Sequence, residues 1–265
     1  MNIKKFTRRQ VFATAGITAG TYVISHLLAK KSFASEKDDK KSDFPWTYAK
    51  LDPDVTAERA YNIIFPKGCM YAVFTSIVGQ LAEKFGEPYK SFPFDMMAYG
   101  AGGIQGWGSL CGALNGATAV ISLFAPSDKC HDLTHELLRW HEKTPLPVYI
   151  PKKPELEIEM PASIANSELC HISVGNWYRS SGYKLKSKPQ HERCIRLSAD
   201  IAKKTVELLN SCFDGTFVPK LSSPQVKSCK ECHNIKSETK IVRGEMNCTT
   251  CHSSLGDNHP DLKLK

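Results

Sequence analysis

The stretch CMYAVFTSIVGQLAEKFGE, residues 69–87, decides the fold of this chain. Its apolar residues follow a helical pattern, and the pattern ends at Gly86 and Glu87, just before a proline. The preceding segment, TAERAYNIIF, is also helical in pattern and opens at Thr56, which we expect to cap its helix. The two segments predict neighbouring helices at the start of one substantial domain.

The next stretch, YGAGGIQGWGSLCGALNGATAVISLF, has a glycine-rich beginning that leads into a helix of buried character. It contains no G-x-G-x-x-G fingerprint and no Walker lysine, so it does not indicate a dinucleotide or nucleotide phosphate site. Glycines in such a place permit close backbone approach, either to a neighbouring helix or to a cofactor.

The rest of the chain up to Gly215 is also mainly helical in pattern. DKCHDLTHELLRWHEKT predicts an amphipathic helix, and two further helices are expected at about 164–178 and 192–209. A proline-rich crossing between them, residues 145–164, contains one short alternating stretch, which is the single strand that the pattern predicts. The fold class is therefore mainly α, with a helical domain at 53–215 and a short, irregular segment at 216–265.

The basic residues of the chain are concentrated at its N-terminus. Six of them lie in residues 1–34, which contain no acidic residue, so the formal net charge of +8 falls to about +2 for the remainder. A nearly neutral mature chain lacks the basic stripe of a nucleic-acid-binding protein. No later segment is apolar enough to span a bilayer.

Residues 1–34 have the charged opening, short apolar run and small residues of an export signal, and 35–52 form a charged linker. Within the signal, TRRQVF resembles the twin-arginine motif, which exports folded proteins. A general secretion signal with two arginines is the alternative. Either route predicts a mature protein in the periplasm.

Near the C-terminus, CKECHNIKSETKIVRGEMNCTTCH, residues 229–252, contains two C-x-x-C-H motifs. In the motif for c-type haem attachment, the thiols form thioethers and the histidine becomes an axial iron ligand. A zinc ribbon is the alternative, but it needs only the four thiolates and leaves the two histidines unexplained. The sequence predicts two covalent haems, held by Cys229, Cys232 and His233, and by Cys248, Cys251 and His252.

The second axial ligand of each iron decides what the haems can do. A filled site transfers electrons, whereas an open one binds a small molecule. The histidines available for this role are His131, His135, His141, His171, His191 and His259. We favour His259, in a proline-stiffened segment near the second motif, and then His171; the pair His131 and His135 has metal-like spacing but could equally face solvent.

Six cysteines lie outside the haem motifs, and they admit two interpretations. An iron–sulfur cluster held by four thiolates would explain them together with the twin-arginine signal, because such clusters are assembled before export. Three disulfides, or buried inert thiols, are the other interpretation. Composition alone does not decide between them.

CGALNG, residues 111–116, matches the C-G-A-x-x-G motif of a family of redox-active proteins with dispersed cysteines. The resemblance covers about 60–210. The positions that resemble the family's four cysteines are Cys69, Cys111, Cys170 and Cys194, with Cys130 as a substitute for the third. Joined to two C-x-x-C-H motifs, the module resembles the split-Soret cytochromes c.

The resemblance implies a mainly helical homodimer with two bis-histidine haems per chain, a ligand shared between subunits, and an iron–sulfur site. We therefore expect a periplasmic electron carrier, rather than an enzyme, that works with redox partner proteins. The alternative is a haem reductase whose open iron site binds a small oxidised nitrogen or sulfur compound. A zinc-stabilised binding module is a third hypothesis.

Overall fold

The computed structural model describes residues 44–220, 223–234, 236 and 244–252. The expected export signal, residues 35–43 of the expected linker and His259 lie outside these residues. Among the described helices, none has the length and hydropathy needed to cross a membrane.

The described residues form a mainly α-helical structure, as the sequence predicts. Its elements, in chain order, are α1 (Pro53–Ile63), α2 (Cys69–Phe85), a 3-10 helix (Phe94–Gly100), α3 (Gly112–Phe124), α4 (Ser127–Lys143), β1 (Pro145–Leu146), β2 (Ser163–Ile164), α5 (Cys170–Ser181), α6 (Lys188–Phe213), α7 (Pro224–Cys232) and a second 3-10 helix (Cys248–Thr250). In this part of the chain the strands form one two-stranded antiparallel sheet, in which Pro145 pairs with Ile164.

Helix α2 lies at the centre of the core. Its buried residues occur on almost every side of the helix, among them Val73, Phe74, Ile77 and Leu81. A helix that is apolar all round must be covered by neighbours. Helices α1, α3 and α6 contact it, and α4 packs on α3 and α6. This arrangement brings the N-terminal ends of several helices to one side of the domain.

The proline-rich crossing, residues 145–164, is held to the helices by side chains. The backbone N–H of Val148 donates to Asp200 Oδ2 of α6 at 2.9 Å, and the buried Trp177 of α5 donates from Nε1 to the carbonyl of Pro161 at 2.8 Å. The predicted strand within the crossing is wrong. The two ends of the crossing, β1 and β2, pair with each other instead. The alternating stretch between them forms no strand, because it has no partner strand among the described residues to bond with.

Three predicted helix boundaries differ in the structure, two of them because of local capping. Helix α1 begins one turn early because Asp52, not Thr56, is its cap and accepts the N–H of Asp54 at 2.8 Å. Helix α5 begins at Cys170 rather than at 164, since Ile164 lies in β2. Helix α6 is longer than expected at both ends, starting after its cap, Ser187.

Helix α7 lies in a segment where the sequence pattern predicts no regular structure. Its signal is the pair Ser223 and Pro224: the serine Oγ accepts the N–H of Val226, and proline occupies the first turn. The helix is only 9 residues long, too short for periodicity to reveal.

Gly116 permits the close packing of α3 on α2. A Cβ at this position would lie 2.6 Å from the carbonyl oxygen of Met70, a backbone atom that cannot rotate away. The second glycine of the C-G-A-x-x-G motif is therefore required by helix packing.

We predict that Gly116→Ala lowers the free energy of unfolding by about 1–3 kcal/mol, because the two helices must separate. Gly79→Ala, in α2, is the matched control: its new Cβ would meet nothing closer than 3.9 Å, so a gain of up to about 1 kcal/mol is expected from helix propensity. Denaturant unfolding followed by circular dichroism measures both. Equal stability of the two variants would contradict the packing argument.

Candidate metal centre

Four of the sequence-predicted cysteines lie at or near helix beginnings. Cys69 is the first residue of α2, Cys111 is the N-cap of α3, Cys170 is the first residue of α5, and Cys194 lies in the second turn of α6. The N-terminal end of a helix carries unpaired N–H groups and a partial positive charge. Three of the four thiols therefore occupy positions that favour a negatively charged group.

The same four cysteines line one cavity of about 300 Å³. Most of the other side chains around it are apolar, such as Ile64, Ala113 and Val174. Cys130 and Cys212 are absent from its lining. Cys130 lies on α4, where its Sγ is 3.8 Å from Ser122 Oγ. The structure thus brings together the first-choice cysteines and places the substitute elsewhere.

Backbone pairing before α3 and α5 places two of these thiols side by side. Leu110 and Leu169 form an isolated antiparallel bridge. The N–H of Cys111 donates to the carbonyl of Glu168 at 2.9 Å, and the N–H of Cys170 makes the matching bond to the opposite segment at 2.7 Å. Both helices therefore begin at the same point.

Gly112 allows the thiol of Cys69 to approach this point. A Cβ on Gly112 would lie 2.7 Å from Cys69 Sγ and 2.3 Å from the carbonyl oxygen of Gly100. The residue after Cys111 must therefore be glycine for α2 and α3 to meet at the cavity. Steric contacts thus require glycine at both positions of the C-G-A-x-x-G motif: Gly112 lies beside the thiol of Cys69, and Gly116 lies against the backbone of α2 at Met70.

Burial keeps three of the four thiols protonated when no metal is bound. It raises the pKa of Cys69, Cys111 and Cys170, that of Cys170 to about 12. The neighbouring thiols raise these values further, because several thiolates in one cavity repel each other. A bound metal reverses this preference, since coordination removes the thiol proton outright.

Four cysteine thiols around one cavity are the donor set that a thiolate-held iron–sulfur cluster takes. In the part of the chain that the structure describes, no three His, Cys, Asp or Glu side chains already form a group that could hold a metal ion. One zinc ion would need thiolates about 2.3 Å from a common centre.

All ten cysteines lie within the described residues, and all are free thiols in the structure. The interpretation as three disulfides therefore receives no support. The thiols that remain outside the cavity and the C-x-x-C-H motifs are those of Cys130 and Cys212, and both are half-buried.

The two C-x-x-C-H motifs adopt the same local turn. The N–H of His233 donates to the carbonyl of Cys229 at 2.8 Å, and that of His252 to the carbonyl of Cys248 at 2.9 Å. The motifs are adjacent, since α7 contacts the second 3-10 helix. Burial, and then the neighbouring Cys229, raise the pKa of Cys248. The second cysteine of each motif is exposed, and the first is half-buried.

The structure places the candidate distal histidines differently from one another. His171 is exposed at the start of α5, directly after Cys170. His135, which sequence reasoning considered but did not favour, lines an apolar cavity of about 190 Å³ together with Met246, two residues before Cys248. The sequence signal that could have selected His135 was its position four residues after His131 on one helix face; the two ring centroids lie 3.9 Å apart. Burial lowers the pKa of His135 and keeps it neutral, as an iron ligand must be.

The helical fold and the cavity with four thiols define a class of redox-active cysteine proteins. Residues 71–208 match the family model of redox-active proteins labelled C_GCAxxG_C_C. This range includes Cys111, Cys170 and Cys194 and begins two residues after Cys69.

Two comparisons identify the family more closely. The chain is 41% identical over 231 residues to the split-Soret cytochrome c of Desulfovibrio desulfuricans, covering 82% of this chain and 83% of the relative. It also resembles a solved structure of a split-Soret cytochrome c from that species, described as having a novel iron centre, with a TM-score of 0.76, 39% identity, and coverage of 81% of this chain and 95% of that one. The chain belongs to the split-Soret cytochrome c family.

We predict that Cys170 of the metal-free folded protein reacts with iodoacetamide on the order of a thousandfold more slowly at pH 8 than in denaturant, because only the thiolate is nucleophilic. The raised pKa also means that these thiols stabilise the metal-free fold below about pH 8.5 and lose that contribution as pH rises toward 12. Peptide mass mapping measures the rates. Equal rates in folded and denatured protein would be inconsistent with the raised pKa.

Proposed function

We propose that this protein is a dihaem c-type cytochrome that carries electrons and also holds an iron–sulfur cluster. The observation that carries the proposal is the presence, in one chain of a cytochrome family, of two adjacent C-x-x-C-H turns and a separate cavity lined by four thiols. The described relative with a novel iron centre adds support for a second kind of iron site.

The haems are assigned to the two C-x-x-C-H motifs. Cys229 and Cys232, and likewise Cys248 and Cys251, form the thioether bonds, and the histidine that follows each pair is an axial ligand. Haem iron and iron–sulfur clusters supply one-electron transfer when bound. The chain's own contribution is to place the two haem motifs side by side, so that an electron has a short distance to travel.

The distal haem ligands are proposed to be histidines, which makes the protein an electron carrier rather than a reductase. His259 and His171 remain the candidates from sequence, and His135 joins them because it lines an apolar cavity beside the second motif. Such a cavity suits the edge of a haem, which is itself largely apolar.

The iron–sulfur cluster is assigned to Cys69, Cys111, Cys170 and Cys194. Support comes from the donor set, from the helix N-termini that face it, and from the glycine that lets two helices meet beside it. Assembly of such a cluster before export is consistent with the twin-arginine motif.

Periplasmic location, the division at about residue 215, and pairing of two chains are also parts of this proposal. The segment 216–265 has few apolar residues with which to cover haem edges. A second subunit would cover what this segment leaves exposed.

We predict that the denatured protein, purified from a host that attaches c-type haem, has the mass of the mature chain plus two haems. Denaturation leaves thioether bonds intact and removes ligands that are not covalently bound. The paired variant Cys229→Ala, Cys232→Ala should carry one haem, and Cys130→Ala should carry two. A bare chain mass in a host that matures other c-type cytochromes would overturn the haem assignment.

We predict further that serine at Cys69, Cys111, Cys170 or Cys194 removes the non-haem iron and acid-labile sulfide from anaerobically purified protein, whereas both haems remain. Cys130→Ser and Cys212→Ser are the matched controls, because these half-buried thiols lie outside the cavity. Elemental analysis and electron paramagnetic resonance give the readout. Loss of the iron in Cys130→Ser with retention in Cys170→Ser would assign the cluster to a different set of cysteines.

A further inference from the structure

Arg193 is buried against the cavity that the four thiols line, with 2% of its surface exposed. One terminal nitrogen, Nη2, donates to Ser173 Oγ at 2.7 Å. The other, Nη1, lies 3.9 Å from Cys194 Sγ. Its Nε is buried and has no hydrogen-bond partner among the described residues. The guanidinium is thus fixed beside the thiols, and part of its hydrogen-bonding capacity is unused.

The charge of Arg193 is not neutralised by a carboxylate in the described structure. The two other buried arginines each have one: Arg139 pairs with Glu142 at 2.6 Å, and Arg196 pairs with Glu192 at 2.7 Å. The described ion pairs contain no partner for Arg193. An isolated charge in a protein interior is strongly unfavourable unless an anion compensates it.

His141 is a buried titratable side chain near Arg193, and it does not compensate the charge. It is fully buried, and neither ring nitrogen has a partner among the described residues. Burial, and then the nearby Arg193, lower its pKa to about 3. His141 is therefore neutral at physiological pH.

The thiols of the cavity are the groups whose negative charge Arg193 favours. Its charge opposes the effect of burial on the pKa of Cys111 and of Cys170. When four thiolates bind a cluster, the cavity holds a compact anionic group, and the guanidinium is already in place beside it. The unused Nε and the missing carboxylate are both explained by such an occupant.

We propose that Arg193 is a positioning residue that compensates the charge of the cluster and raises its reduction potential. This inference rests on the proposed iron–sulfur cluster. In reduction, the cluster gains one electron from a haem of the same chain or from an external one-electron donor. No bond breaks, and Arg193 keeps its proton and charge. The reduced cluster is more negative than the oxidised one, so a fixed positive charge stabilises the reduced form more.

The test is a redox titration of the cluster in full-length, anaerobically purified protein, followed by electron paramagnetic resonance. Arg193→Gln keeps a donor near Ser173 and removes the charge. We expect this variant to raise the ratio of oxidised to reduced cluster at least tenfold at a given applied potential. For a one-electron couple, that is a fall of 59 mV in the reduction potential of the cluster. Arg193→Lys, which keeps the charge, should shift it less, and the haem potentials give an internal reference.

Arg179→Gln is the matched control for loss of a positive charge. Arg179 is exposed on α5, donates to Asn176 at 2.7 Å, and does not line the cavity. It should leave the cluster potential unchanged. An equal shift in the two glutamine variants would show that net charge, and not the placement of Arg193, is responsible, and would overturn the proposal.

The remaining outcomes are also decisive. A folded Arg193→Gln protein with a full cluster and an unchanged potential would overturn the proposal. If Arg193→Gln folds but loses the cluster while Arg193→Lys retains it, the need for charge compensation is supported; loss in both folded variants overturns it. Wild-type protein without iron beyond that of the haems would refute the cluster itself, before any variant is compared.

Discussion

The meeting of three helix beginnings at one cavity is the constraint on which the rest of the site depends. The bridge between Leu110 and Leu169 fixes where α3 and α5 begin, so Cys111 and Cys170 cannot move apart without breaking backbone hydrogen bonds. The central helix α2 then reaches the same point because Gly112 leaves room for the thiol of Cys69. The fold therefore prepares a place for negative charge before any metal binds.

This arrangement has a cost for the metal-free protein. Arg193, which forms no ion pair among the described residues, and His141, whose ring nitrogens have no partner there, lie in the same interior. Each is unfavourable alone, because buried polar groups are normally satisfied. The proposed anionic cluster would satisfy the arginine and replace the thiol protons, so metal binding and stability of this part of the fold are expected to be linked.

The sequence was most informative where chemistry needs fixed spacing. The C-x-x-C-H motifs and C-G-A-x-x-G identified the haem and cysteine candidates, and the helical pattern of residues 69–87 predicted α2. It was least informative where tertiary contacts decide. The start of α5 depends on strand pairing at Ile164, and the role proposed for Arg193 depends on its having no carboxylate partner among the described residues. The sequence analysis missed the short helix α7, because that helix is marked by its capping residue, Ser223, and not by a repeating apolar pattern.

The most direct test of the four-cysteine centre is a crystal structure of the full-length protein, grown anaerobically, with diffraction data collected on both sides of the iron absorption edge. Anomalous differences locate iron without assumptions about ligands. The account predicts iron inside the cavity, bonded to Cys69, Cys111, Cys170 and Cys194, in addition to one iron at each C-x-x-C-H motif. Iron at the two haem motifs alone, with the four thiols unbonded, would contradict it.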